Sequence, residues 1–277
     1  MSRLASAVFG LAFGVLTAST ATAEVTKESV REVLERAGVV ARIVNETADR
    51  DYRIAKVGAR ETQGLPPEVT ERLLTLLRSI ADAEILIEVS VRTLAERWSK
   101  RERDEVDAFY ASPLGRRIVA LEVAASTTEA LDRIHDESEK LEGWLGGKPV
   151  RKMLLEWLDE ALLMSDREAS YRASLEVGHS RGLAFARQEE PANSFDNQFK
   201  AVKADLDWQF RKETMHKLAY TYGPLTDSEI LEYLRFLDTS AGKRFSGVLE
   251  IVTTASFMEA GIRLGENIAA LLSEASN

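Results

Sequence analysis

Ser99-Lys100-Arg101-Glu102 leads through Val106 and Phe109-Tyr110 to Ser112-Pro113-Leu114-Gly115-Arg116-Arg117. The pattern returns as Thr226-Asp227-Ser228-Glu229, through Tyr233 and Phe236-Leu237 to Thr239-Ser240-Ala241-Gly242-Lys243-Arg244. The two glycines are 127 positions apart, and the copies align without a gap. A period of that size predicts two related domains rather than a short solenoid repeat. Within each copy the residues predict a capped short helix, a break and a second helix. Ser99 with Glu102, and Thr226 with Glu229, are capping-box pairs that satisfy otherwise unpaired amides, each cap contributing about 1 kcal/mol. Ser112 then caps a helix with Pro113 at its first position, where the missing N–H does no harm. In the second copy Thr239 takes the cap and Ser240 replaces the proline.

Working outward, nearly everything else reads as helix. Ser29 and Glu32 predict a cap, followed by the apolar face Val30, Val33, Leu34, Ala37, Val40 and Val44. Asn45 to Gly64 is polar without a sustained period and reads as a connection. Pro66-Pro67 opens a long helix with Leu73, Leu77, Ile80, Ile87, Val91, Leu94 and Trp98 as its stripe. The run Ile85 to Val91 is apolar around much of its circumference, which predicts a central position. One long helix is expected after Ser112, lined by Ile118, Leu121, Ala125, Leu131, Ile134 and Leu141. Another is expected after Thr239, lined by Phe245, Val248, Val252, Ala255, Ile262 and Leu272. Gly146-Gly147-Lys148-Pro149 ends the first and marks the domain boundary. Met153, Leu154, Trp157, Leu158, Ala161 and Leu162 then share a face, and Gly178 to Asn193 reads as irregular.

Residues 1–23 read as a secretory signal: Arg3 supplies charge, Leu4 to Ala18 the apolar stretch, and Ala21-Thr22-Ala23 the cleavage pattern. That stretch falls short of the roughly 20 residues a spanning helix needs. The fold class expected is therefore all-α, with two tandem related helical-bundle domains after a signal peptide. Their bounds are 24–147 and 148–277, with about four helices each. The chain has no cysteine, which excludes disulfides and a catalytic thiol. Its net charge of −9, taken to −10 by loss of Arg3, disfavours nucleic acid and anionic lipid as partners. No segment after the signal has the length and apolarity of a membrane span.

The motif resembles the domain-of-unknown-function family numbered two thousand and fifty-nine, a family of exported bacterial helical domains. Phe109-Tyr110, Ser112-Pro113, Gly115 and the basic residue after it carry the resemblance, together with Val33-Leu34 and Gly38 in the opening helix. The second copy departs from it, with Leu237 for the tyrosine and Ser240 for the proline. The resemblance implies an exported helical domain and brings no activity and no catalytic residue.

Each repeated helix start pairs a glycine with two cations. Gly115, Arg116 and Arg117, and Gly242, Lys243 and Arg244, form a candidate anion site, because free amides at a helix N-terminus plus basic side chains hold phosphate or carboxylate. The competing reading is close helix contact at glycine, with the cations paired to the protein's own carboxylates. Phe109, Tyr110 and Phe236 read as core aromatics. Asp132, His135, Asp136 and Glu139 have metal-ligand spacing on one helix face, yet that face reads as solvated. His179 and His216 stand apart from any nucleophile motif, and no phosphate loop, nucleophile elbow or His-Glu-x-x-His pair occurs. No catalytic residue, metal or cofactor is assigned. The function expected is that of an exported soluble helical protein, acting as an interaction or structural module with an envelope protein partner. The alternatives are a binder of a small apolar or anionic ligand between helices, and an envelope hydrolase. The placement expected is the periplasm or the exterior.

Overall fold

The computed structural model describes residues 25–61, 82–186 and 195–275, together with Glu71 and Thr75. The expected signal peptide, the helix opening at Pro66-Pro67 and Pro191 lie outside these residues. Among the described residues the chain is all helical, without a strand. Twelve helices have defined bounds: α1 Lys27–Arg36, α2 Val39–Glu61, α3 Ala83–Arg97, α4 Lys100–Ala111, α5 Pro113–Ala125, α6 Thr128–Asp136, α7 Ser138–Gly146, α8 Pro149–Leu162, α9 Met164–Ala186, α10 Phe195–Tyr222, α11 Asp227–Leu237 and α12 Ser240–Ala275.

The two repeated stretches fold alike. Ser99 caps α4 and Thr226 caps α11, each in a full capping box. The next helix starts at once, with Gly115 N–H donating to Ser112 Oγ at 3.0 Å and Gly242 N–H to Thr239 Oγ1 at 3.1 Å. Here the glycines are required by close approach. A Cβ on Gly115 would stand 2.1 Å from the Phe109 carbonyl oxygen, and one on Gly242 would stand 2.3 Å from that of Phe236. Gly38, between α1 and α2, and Leu163, between α8 and α9, both turn the chain through left-handed φ, at 70° and 54°.

Several elements differ from what the periodicity predicts. The first helix is capped by Thr26, whose side chain accepts from the Ser29 amide, and not by Ser29 with Glu32. Asn45 to Glu61 is not a connection: it continues α2. Its polar side chains hold it in place, Asn45 donating to Ser126 Oγ at 2.9 Å and Arg53 bridging Asp49 and Asp132. The helix starting at Pro113 is three helices rather than one. Ser126 Oγ turns back to the Val123 carbonyl at 2.8 Å and Thr127 caps the next start, so local hydroxyls compete with the helix ladder. A new helix also begins at Ala83, capped by Asp82. Ile85 is 57 % exposed, so α3 buries only the face of Ile87, Val91 and Leu94. On α8 the buried face is Leu154, Leu155 and Leu158, leaving Met153 and Trp157 outside. Gly178 and Gly182 lie within α9.

One buried cluster draws on both sides of Gly147. Val30, Leu34, Leu94, Tyr110 and Ile118 join Leu155, Leu158, Leu218, Ile230, Tyr233 and Leu237 in it. The long helices interlock the halves, α10 packing on α5, α6 and α7, and α12 on α3 and α4. The most extensive packing is that of α9 along α12.

The glycine crossings generate a prediction with opposite signs at two sites. Gly115→Ala forces a Cβ into backbone that has no rotamer to retreat into, and should cost about 1–3 kcal/mol or more. Gly143→Ala, inside α7 with open space around its Cβ position, should gain up to about 1 kcal/mol from helix propensity. Denaturant midpoints of the two variants measure both effects.

Candidate functional site

Where the repeated stretches meet, their aromatic residues stack. The Phe109 and Phe236 rings lie 3.8 Å apart and 1° from parallel, and Tyr233 stacks on Phe109 at 5.6 Å. On either side of this stack the ion pairs are reciprocal. Arg244 Nε donates to Glu102 Oε1 at 2.8 Å, and Arg117 bridges to Glu229 while also reaching the Pro224 carbonyl at 2.8 Å. Glu102 and Glu229 are also the glutamates of the two capping boxes, so each carboxylate serves its own cap and the opposite arginine. Burial disfavours ionised Glu102, but the Ser99 amide and hydroxyl and then Arg244 hold its pKa below the ordinary value. Glu229 is held down by Thr226 and then Arg117. Both pairs are partly solvated, so each contributes on the order of 0–1 kcal/mol and chiefly fixes register.

Beneath the stack lies a buried polar centre. Glu122, on α5, has a side chain only 4 % exposed. Its Oε1 accepts from Tyr222 at 2.6 Å and from Tyr233 at 3.1 Å, and its Oε2 accepts from Arg42 of α2. The Tyr110 and Tyr233 hydroxyls stand 3.4 Å apart. Because Tyr233 donates to Glu122, its oxygen is left to accept from Tyr110. Burial, and then the Glu122 charge, push all three phenols well above their ordinary pKa. They are therefore retained donors and not bases or nucleophiles near neutral pH. Burial alone would lower the Arg42 pKa, but Glu122 outweighs it and the guanidinium stays charged.

A cavity of about 50 Å³ opens beside this centre. Arg42, Glu46, Glu122, Lys217, Thr221 and Ser246 are polar residues of its lining, with Leu249 and Met164 among the apolar ones. Ser246 is 4 % exposed, and its Oγ has no hydrogen-bond partner in the chain.

The chain matches no family model, no curated protein and no solved structure. Geometry alone speaks for the site.

The six residues of the expected anion site meet the chain's own acceptors. The Gly115 and Gly242 amides are taken by their caps, and Arg116 donates to the Ala111 carbonyl. Arg117 and Arg244 form the reciprocal pairs, and Lys243 lies 2.7 Å from Asp238. Asp132 pairs with Arg53, and α6 ends at Asp136, so Glu139 belongs to the next helix. Among the described residues no three His, Asp or Glu side chains gather as metal ligands would. His216 is buried on α10, and burial lowers its pKa.

Sequence reading missed Glu122 and Arg42. The available signal was a single carboxylate within the apolar stripe Ile118, Glu122, Ala125, where helical spacing turns it inward.

A third surface feature lies on α8. Val150, Met153 and Trp157 are 58 %, 39 % and 45 % exposed. Their spacing places them on one helix face. Exposed charges flank the strip, Lys152 towards its N-terminal end and Glu156 and Glu160 towards its C-terminal end.

Two predictions follow from the polar centre. Glu122→Leu strands the Arg42 charge and should destabilise by about 3–5 kcal/mol, towards the lower figure because a quarter of the Arg42 side chain remains exposed. Adding Arg42→Met should recover more than half of that loss in the same denaturant titration. The second concerns alkaline pH. Below the ordinary phenol value of 10.0 both folded and unfolded chains keep Tyr110, Tyr222 and Tyr233 protonated, and the stabilisation is complete. Above it the unfolded chain ionises first, so stability falls as pH climbs from there through the raised folded values. Phenolate absorbance should show these three of the six tyrosines ionising only as the helical circular dichroism signal is lost.

Proposed function

We propose that the protein is an exported interaction module of the cell envelope, built from two related helical units and docking a partner helix on α8. The kinship of the units is supported by their matching caps, their glycine crossings and their reciprocal ion pairs. Export is supported by the signal-like pattern of residues 1–23. Among the described residues no helix is long and apolar enough to cross a membrane.

One observation carries the docking reading: α8 is apolar on two sides. Leu154, Leu155 and Leu158 fill the chain's own core, so Val150, Met153 and Trp157 on the outer side are surplus to folding. An exposed tryptophan flanked by valine and methionine is an anchor of the kind that dominates protein interfaces. Beside the strip stand exposed charges, Lys152 paired to Glu156 at 3.9 Å and Glu160 beyond them. Lys152 precedes Glu156 and Glu160, so an amphipathic helix running antiparallel to α8, itself basic early and acidic late, meets opposite charge at both ends. Antiparallel macrodipoles favour the same arrangement.

A photocrosslinker placed at Met153 in living cells tests this. The expected product joins α8 to an amphipathic helix of another envelope protein, and Trp157→Glu should weaken it at least about thirtyfold. The thermal midpoint of that variant should hold, since exposed substitutions usually stay within about 0.5 kcal/mol. A product joining only two copies of this chain would replace the partner by self-association. Absence of any Trp157-dependent product would overturn the reading.

A further inference from the structure

We infer that the cavity beside Glu122 is a binding site for a short-chain carboxylate. Its volume, about 50 Å³, is several times the roughly 10–15 Å³ that one water requires, and it suits a molecule near the size of acetate. The hydrogen-bonding capacity left over in its wall selects an acceptor. Glu122 is already occupied by two phenols and a guanidinium, so its carboxylate has little left to offer a donor ligand. The spare groups are donors. Ser246 Oγ is buried without a partner. Lys217 forms a long ion pair with Glu46 at 3.8 Å, and its ammonium keeps N–H groups beyond that contact. Arg42 carries N–H groups beyond the one that Glu122 takes, and its side chain is 24 % exposed.

The Ser246 hydroxyl and the remaining N–H groups of Arg42 and Lys217, each already paired to a carboxylate, are donors in the lining that fit a negatively charged acceptor. Leu162, Met164 and Leu249 also line the cavity and would hold a short alkyl tail. The cationic groups bind the carboxylate while the apolar residues limit chain length. Glu46 in the same lining disfavours a second negative charge, so a monocarboxylate is preferred over a dicarboxylate. This site shares no residue with the outer strip of α8, and either assignment can stand without the other.

Thermal-shift and isothermal titrations of the full chain with acetate, propionate, butyrate and hexanoate test the inference, with the matching alcohols and chloride at equal ionic strength beside them. Saturable binding of the short acids, with the alcohols and chloride inert and hexanoate excluded, is the expected result. Ser246→Ala should weaken it about threefold to tenfold, the range for one hydrogen bond. Lys217→Met, at a side chain that is 32 % exposed, should weaken it by more, as loss of a charged partner does. Absence of saturable binding by any acid would overturn the inference, as would binding that neither substitution changes.

Discussion

The crossing of α5 over the end of α4, and of α12 over the end of α11, is closer than a side chain permits. Gly115 and Gly242 make it possible, and the geometry of the centre follows from it. With the crossing set, Phe109 and Phe236 are delivered face to face. Arg117 and Arg244, two positions past the glycines, arrive at the glutamates that cap the opposite helices. A carboxylate shared between a cap and an arginine across the contact couples local to tertiary order. The start of α4 is reinforced only when the second stretch is docked, and the start of α11 only when the first is. Each bridge is worth little by itself, yet the pair specifies one register out of several that an aromatic stack alone would accept.

The frame is symmetric in its caps and crossings but not in its polar interior. At the spacing that relates the two glycines, Leu249 stands where Glu122 does, Leu237 where Tyr110 does, and Val106 where Tyr233 does. The polar centre is thus made once, from residues of both halves. Hydrophobic replacements at such a site often match or exceed the stability of the ion pair, so stability is a weak reason for its presence. Its physical consequence is different. It holds three protonated phenols and a guanidinium around a single carboxylate, with a small space beside them that the unpartnered Ser246 hydroxyl also lines.

What could be read from the chain beforehand was what short-range chemistry decides. The capping boxes at Ser99 and Thr226, the Ser112-Pro113 start and the Gly146-Gly147 stop each depend on a few adjacent residues. The misread elements depend on partners far away. Residues 45–61 lack an apolar period because their helix is held by Asn45 to Ser126 and Arg53 to Asp132, contacts some eighty positions distant. The break at Ser126 comes from a hydroxyl that prefers the Val123 carbonyl and is itself bonded by Asn45. Ile85 sits in an apolar run yet faces outward, because composition does not say which side of a helix meets the core. Glu122 was hidden for the converse reason, a charge on the buried side whose three donors come from helices that no local pattern relates.

The division of labour along α8 makes its outer strip informative. The halves cannot be separated without exposing core, since α10 carries Leu218 and Tyr222 against the first half and α12 carries Phe245 against Trp98. A helix in that setting needs one apolar face, and α8 has it in Leu154, Leu155 and Leu158. Val150, Met153 and Trp157 lie outside this core, and they carry the cost of hydrated apolar surface and some risk of aggregation. Polar residues would satisfy folding equally well there. Gathered on one face beside the charges of Lys152, Glu156 and Glu160, Val150, Met153 and Trp157 form the apolar strip on which the proposed docking rests.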